Sequence, residues 1–215
     1  MIDGVADERE RDEALKKTLI AVLIWLAATA SPVSAASGPA PRAVVDSFHA
    51  ALLHVMRSAD ALGAVGRYQF LEPRVRDAFD LERMIRVASG AHWRGATPAQ
   101  KANLLEAFTQ LSVSTYASRF DGYSGQTFEI EGERPGPRNS VLVDTRINRP
   151  GESAVPITYV LNEKGGHWRI INVILDRSIS ELAVRRSEYS RVLERGGPTS
   201  LAAALRAKAG RLLPE

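Results

Sequence analysis

The chain has 215 residues, of which 45% are hydrophobic and 25% charged, with a net charge of +3 and no cysteine. That length suits one ordinary domain with a real core, and the composition is that of a globular protein, neither disordered nor polytopic. The lack of cysteine excludes thiolate zinc, iron–sulfur clusters, thiol nucleophiles and any disulfide framework.

Residues 1–36 carry a secretory pattern. Lys16-Lys17 precede an uncharged apolar run from Thr18 to Ala30, and Ser31-Pro32-Val33-Ser34-Ala35-Ala36 supplies small residues at a Val-x-Ala site. The run is shorter than the ~20 residues a spanning helix needs, so a cleaved signal peptide is expected in preference to a retained anchor, and a periplasmic location with it. The mixed acidic and basic residues ahead of Lys16 are unusual before such a signal; a start assigned too far upstream accounts for them. Without a cysteine there is no lipoprotein anchor. Removing 1–36 takes away four of the 28 basic and six of the 25 acidic side chains and leaves +5. No basic block stands out, so no nucleic-acid partner is expected.

Residues 37–42 read as a flexible leader, and 43–215 as a single domain with a helical subdomain. A helix is expected from about Ala43 to Ala59, where Val44, Val45, Phe48, Leu52, Val55 and Met56 recur at helical spacing. Gly63 and Gly66 should interrupt it. Tyr68 to Gly90 reads as helix in pieces, broken at Pro73. Thr97-Pro98-Ala99-Gln100 combines a capping residue, proline at the first helical position and glutamine three after the cap. The helix it opens should run to about Phe120, with an apolar stripe wide enough to pack on more than one side.

The period then changes to two. Four segments, 126–132, 140–148, 154–162 and 167–175, are separated by Pro135-Gly136-Pro137, Pro150-Gly151 and Gly165-Gly166, which predicts an antiparallel meander. Helical character returns after Asp176, is broken at Gly196-Gly197-Pro198 and resumes from Thr199 to Leu212. The fold class is therefore α+β. The last two strands are apolar on both faces, with Val155, Ile157, Tyr159 and Leu161 set against Pro156, Thr158 and Val160. Trp168, Ile170 and Ile174 likewise oppose Ile171, Val173 and Leu175. An antiparallel sheet normally wets one face. Either helices cover both sides here, or a curved sheet lines an apolar cavity with one of them.

Catalytic and metal-binding patterns are missing. His49 and His54 are five apart, off the spacing that places two ligands on one helical face, and no HExxH occurs. His92 and His167 each adjoin a tryptophan, which fits packing. Neither a GxSxG elbow nor a glycine-rich phosphate cradle is present. Glu129, Glu131, Asp144 and Asp176 suit the solvated face of a sheet better than general-base work. No cofactor and no metal are expected.

From Gly90 to Gly125 the chain reads GAHWRGATPAQKANLLEAFTQLSVSTYASRFDGYSG. This segment resembles the central signature of the MlaC/toluene-tolerance family, in Gly90, Trp93, Thr97-Pro98-x-Gln100, Phe108, Tyr116, Phe120 and Tyr123-Ser124-Gly125. Gln126-Thr127-Phe128, Gly166-x-Trp168, Arg186-Ser187-Glu188-Tyr189 and Gly197-x-x-x-Leu201-x-x-x-Leu205-x-x-Lys208 extend the likeness from about Val44 to Leu212. The resemblance implies a four-stranded, curved, cone-like antiparallel sheet wrapped by helices around an apolar cavity. It further implies a periplasmic carrier of phospholipid in an ABC transport system, passing lipid between an outer-membrane lipoprotein complex and an inner-membrane complex with an MCE-domain protein. Leu104, Asn172 and Arg177-Ser178-Ile179-Ser180 depart from the family pattern and suggest its hopanoid-associated, HpnM-like branch, with a rigid polycyclic lipid as cargo. The expected cavity lining is Phe108, Leu111, Tyr116, Val143, Ile157, Tyr159, Ile171 and Val173. A carrier needs a dry cavity rather than catalytic groups. Two other readings stay open: an adaptor with a solid core and no cargo, and a cone-fold isomerase or hydrolase in which Asp144 and Glu129 would be the first acids to test.

Overall fold

A computed structural model describes residues 38–213; the expected signal peptide lies outside them. The apolar stripe beginning at Val44 forms α1 (Pro41–Arg57), which buries Val45, Phe48, Leu52 and Val55. After Ser58 comes α2 (Ala59–Ala78), kinked at Gly63, whose φ of 60° suits a residue without Cβ. Gly66 continues the helix, and so does Pro73, contrary to the break expected there. Leu71 and Val75 flank Pro73 and are fully buried, and their packing outweighs the ~3 kcal/mol that an interior proline costs. The real interruption falls at Phe79–Asp80, where Asp80 caps α3 (Leu81–Ser89) by accepting a hydrogen bond from the Arg83 N–H at 3.0 Å.

A short α4 (Ala91–Gly95) leads to α5 (Pro98–Arg119). Its capping box forms as the sequence predicts: the Thr97 hydroxyl accepts from the Gln100 N–H at 3.2 Å, and the Gln100 side chain accepts from the Thr97 N–H at 2.9 Å. Leu104, Phe108, Leu111, Val113 and Ala117 of α5 are buried, and this helix packs against α2, α3 and the final helix.

The sheet follows in chain order: β1 (Thr127–Pro135), β2 (Val141–Asn148), β3 (Val155–Lys164), β4 (His167–Leu175) and β5 (Ile179–Ser180). All neighbours are antiparallel. The sheet thus has five strands where four were expected. The extra one is a two-residue return pairing Ile179 with Leu175 and Ser180 with Ile174, too short for any period to reveal. The β3–β4 connection is Gly165-Gly166 with both φ positive, at 61° and 80°, the requirement of a two-residue hairpin turn. The Gly38 N–H donates to the Gly166 carbonyl at 2.8 Å, so the described chain starts against this hairpin.

Two bulges bend the sheet. One leaves Glu131 of β1 without a partner in β2, the other leaves Ile171 of β4 without a partner in β3. Bulges increase local twist and curl a sheet. The inner face carries Ile130, Val143, Thr145, Ile147, Ile157, Tyr159, Leu161, Ile170 and Val173, and α1 packs against β1, β2 and β4. The last helix, α6 (Glu181–Leu212), starts on the Ser180 cap and turns at Gly197, whose φ is 64°. That break is where Gly196-Gly197-Pro198 places it.

Candidate functional site

Between the inner face of the sheet and the helices lies a cavity of about 500 Å³. That is within the ~300–1,000 Å³ typical of small-molecule sites. Its walls come from every layer: Met56 of α1, Val75 of α2, Phe79, Leu81 and Met84 around α3, Ser112, Thr115 and Tyr116 of α5 with Phe120 just past its end, and Ile147, Val155, Ile157, Tyr159, Val173 and Leu175 of the sheet. Its rim gathers at one end of the strands, where Arg119, Asp121, Arg149 and Glu152 are exposed. Arg149 and Glu152 pair across 3.0 Å.

Of the residues expected to line a cavity, Tyr116, Ile157, Tyr159 and Val173 stand on this wall. Phe108 and Leu111 are buried within α5, behind the wall residues Ser112 and Thr115. Val143 is fully buried opposite Tyr159, on the same sheet face but away from the opening. Ile171 is the bulged residue of β4. Strict alternation groups Ile171 with Val173; the bulge instead puts Ile170, paired with Leu161, on the face of Val173.

Aromatic edges brace the wall. Phe48 meets Phe79 and Tyr116 edge-on at centroid distances of 5.1 and 5.0 Å, and Tyr116 stacks on Phe120 at 6.1 Å. The Tyr159 hydroxyl lies 3.1 Å from His49 Nε2, and the imidazole stacks on Phe128 at 4.2 Å. Burial pushes the His49 pKa down to about 4, so the ring is neutral at physiological pH. Burial likewise raises the Tyr159 and Tyr116 hydroxyls above the ordinary phenol range, so both remain protonated. His49 and Tyr159 are held by their shared hydrogen bond and by ring packing, and Tyr116 by ring packing. Among the described residues no group of three His, Asp or Glu side chains gathers at metal-binding distance.

The acids considered for catalysis sit on the other face of the sheet. Glu129 and Glu131 pair with Arg146 at 2.7 and 3.2 Å. Arg134, 2.7 Å from its carboxylate, holds Asp144 below the usual carboxylate range, and the Thr158 hydroxyl donates to it at 2.6 Å. They form a ladder of carboxylates paired with arginines on the face turned away from the cavity. The helices and the cavity share the inner face.

Sequence reasoning missed one wall residue with a distinct chemistry. Arg185 of α6 faces the cavity while its guanidinium lies over the Phe108 ring, 5.4 Å from the centroid. The signal was present: Leu182, Arg185, Tyr189 and Val192 fall at i, i+3, i+7 and i+10, which sets an arginine in the apolar stripe of its helix.

Comparison with known proteins places these features in a family. The family described as MlaC protein matches residues 46–207. The toluene tolerance protein ttg2D of Pseudomonas putida is 23% identical over 104 residues, 48% of each chain. This chain thus spans about half the length of that curated relative. A solved phospholipid-binding protein from Ralstonia solanacearum, in complex with a phospholipid, superposes with a TM-score of 0.70 at 20% identity, covering 81% of this chain and 99% of the other. The shared fold is the one described above. No described helix is long and apolar enough to cross a membrane.

Proposed function

The chain belongs to the MlaC protein family, and from that premise we propose that it is a periplasmic lipid-binding protein that carries a membrane lipid in the cavity between its sheet and helices. The observation that carries the reading is the cavity itself, with apolar walls drawn from both layers and charged residues at its rim. The Ralstonia solanacearum protein of like fold was solved with a phospholipid, which supports the same class of cargo.

The physical case is simple. Two acyl chains bring about 30 methylenes, and at ~0.8 kcal/mol each their exposure to water costs tens of kcal/mol. A lipid therefore crosses an aqueous space at a useful rate only when shielded. A carrier has to match a bilayer's hold on the lipid, not exceed it; the donor and acceptor then set direction. In this reading the protein moves phospholipid, or a hopanoid-type lipid, between an outer-membrane lipoprotein complex and an inner-membrane ABC complex with an MCE-domain component. Tyr116, Ile157, Tyr159 and Val173 would contact the hydrophobic body of the lipid, and the wall performs no bond-making chemistry.

Native mass spectrometry of the protein recovered from a periplasmic fraction, with lipid extraction of the same sample, tests this. A stoichiometric lipid adduct is expected, and Ile157→Glu should abolish it by placing a charge in the apolar wall. A bare polypeptide mass that persists after incubation with the cell's own membranes would overturn the proposal.

A further inference from the structure

Of the three arginines among the described residues that line the cavity, Arg119 and Arg149 stand at the rim and Arg185 is set back from it. It sits one turn inside α6, on a wall it shares with Leu81, Met84 and Tyr116. A guanidinium offers five N–H donors in a rigid fork and stays charged at any physiological pH. Here the fork is almost unused. Nε is fully enclosed and bonds to no protein group, and Nη1 makes only a long contact of 3.4 Å to the Tyr189 hydroxyl. Among the described residues Arg185 forms no direct ion pair; Glu181, one turn earlier and also on the wall, favours its charge only through the field and accepts no hydrogen bond from it. Phe108 offers a ring face, which steadies the cation without satisfying its N–H groups.

Taking a cation out of water costs several kcal/mol unless an anion and hydrogen bonds replace the water. A structural arginine in such a place is expected to meet that cost with a carboxylate partner. Arg185 makes no hydrogen-bonded ion pair with a described residue, and its donors lie next to the lipid cavity. Resting on the carrier reading, we infer that Arg185 is the anchoring site for an oxyanion of the cargo: the phosphate of a phospholipid, or the carboxylate of a fatty acid. The selected cargo is an acidic lipid, and a neutral polycyclic lipid with a hydroxylated head would leave the guanidinium unmatched. Fork-to-oxyanion pairing also fixes how deep the lipid sits, with its acidic group one helical turn below the rim and its chains against the sheet.

The test uses the full chain and two matched lipid pairs in detergent micelles: dioleoyl phosphatidic acid against dioleoylglycerol, and oleic acid against oleyl alcohol. Each pair differs only in the acidic group. Wild-type protein should prefer at least one acidic member by about tenfold or more, the worth of a charged hydrogen bond. Arg185→Gln should erase that preference, and an unchanged circular dichroism spectrum and cooperative melt show that the variant folds. Arg185→Lys should restore part of it. Preference for phosphatidic acid alone assigns a phosphate, for oleic acid alone a carboxylate. Equal wild-type binding within both pairs overturns the anchoring role, leaves the carrier standing and needs no variant. Equal loss across all four ligands in Arg185→Gln overturns it too. Binding of none of the four by wild type would strike the carrier reading itself.

Discussion

His49 illustrates how a single side chain ties the fold to pH. Its ring is 5% exposed, and burial lowers its pKa from 6.5 to about 4. Between those values the unfolded chain binds a proton that the native ring refuses, so stability falls as pH drops through this window. The full effect is up to about 3 kcal/mol, at 1.36 kcal/mol per pH unit. Urea unfolding at neutral pH and near pH 4 should show the loss, and His49→Asn should flatten that part of the profile. Tyr159→Phe removes the partner hydroxyl while keeping the ring. It should cost about 1 kcal/mol in the same assay with little effect on lipid occupancy. At this scale the sequence was half legible. Alternation located Ile157 and Tyr159 on β3 because that strand is regular where they lie. It misplaced Ile171 because an extra residue in β4 resets the phase, and no side-chain pattern announces a bulge. Arg185 was legible only as a charge breaking an apolar stripe.

Secondary structure was easiest to read where its ends carry their own chemistry. The Thr97 box depends on two residues, Thr97 and Gln100, at one exposed helix end, so its signal is local and reads directly from the sequence. Thr97→Ala should lower stability by about 1 kcal/mol in thermal or urea unfolding, with the Gln100 side chain losing its reciprocal role. The glycine-rich hairpin between β3 and β4 was equally plain, because both turn residues need positive φ. Pro73 was deceptive for the opposite reason. Its local preference is real, but Leu71 and Val75 are gripped by the core on either side. Long-range packing overrides local preference, and a single sequence does not display long-range packing. The same applies to β5, which exists only because Leu175 and Ile174 lie where the returning chain passes.

For the molecule as a whole, the cavity is a sacrifice of stability. A void lined by side chains forfeits the contacts that filling it would provide, at roughly 24 cal/mol per Å³ in measured core deletions. Val173→Phe, pointed into the space, should therefore hold or raise the melting temperature of the lipid-free protein while lowering its lipid occupancy. A fall in both would indicate overpacking instead. Bound lipid should raise the melting temperature of wild type with the logarithm of free lipid, by about 2.7 kcal/mol of added stability at a hundredfold excess over Kd. The bond from Gly38 to Gly166 has a consequence for orientation. It fixes the start of the described chain at the hairpin end of β3, while the cavity rim lies at the opposite end of this ten-residue strand. The two points are about 30 Å apart. The described domain thus begins at one end of β3 and opens at the other: attached to a sensor at Gly38, it would face the solution mouth outward.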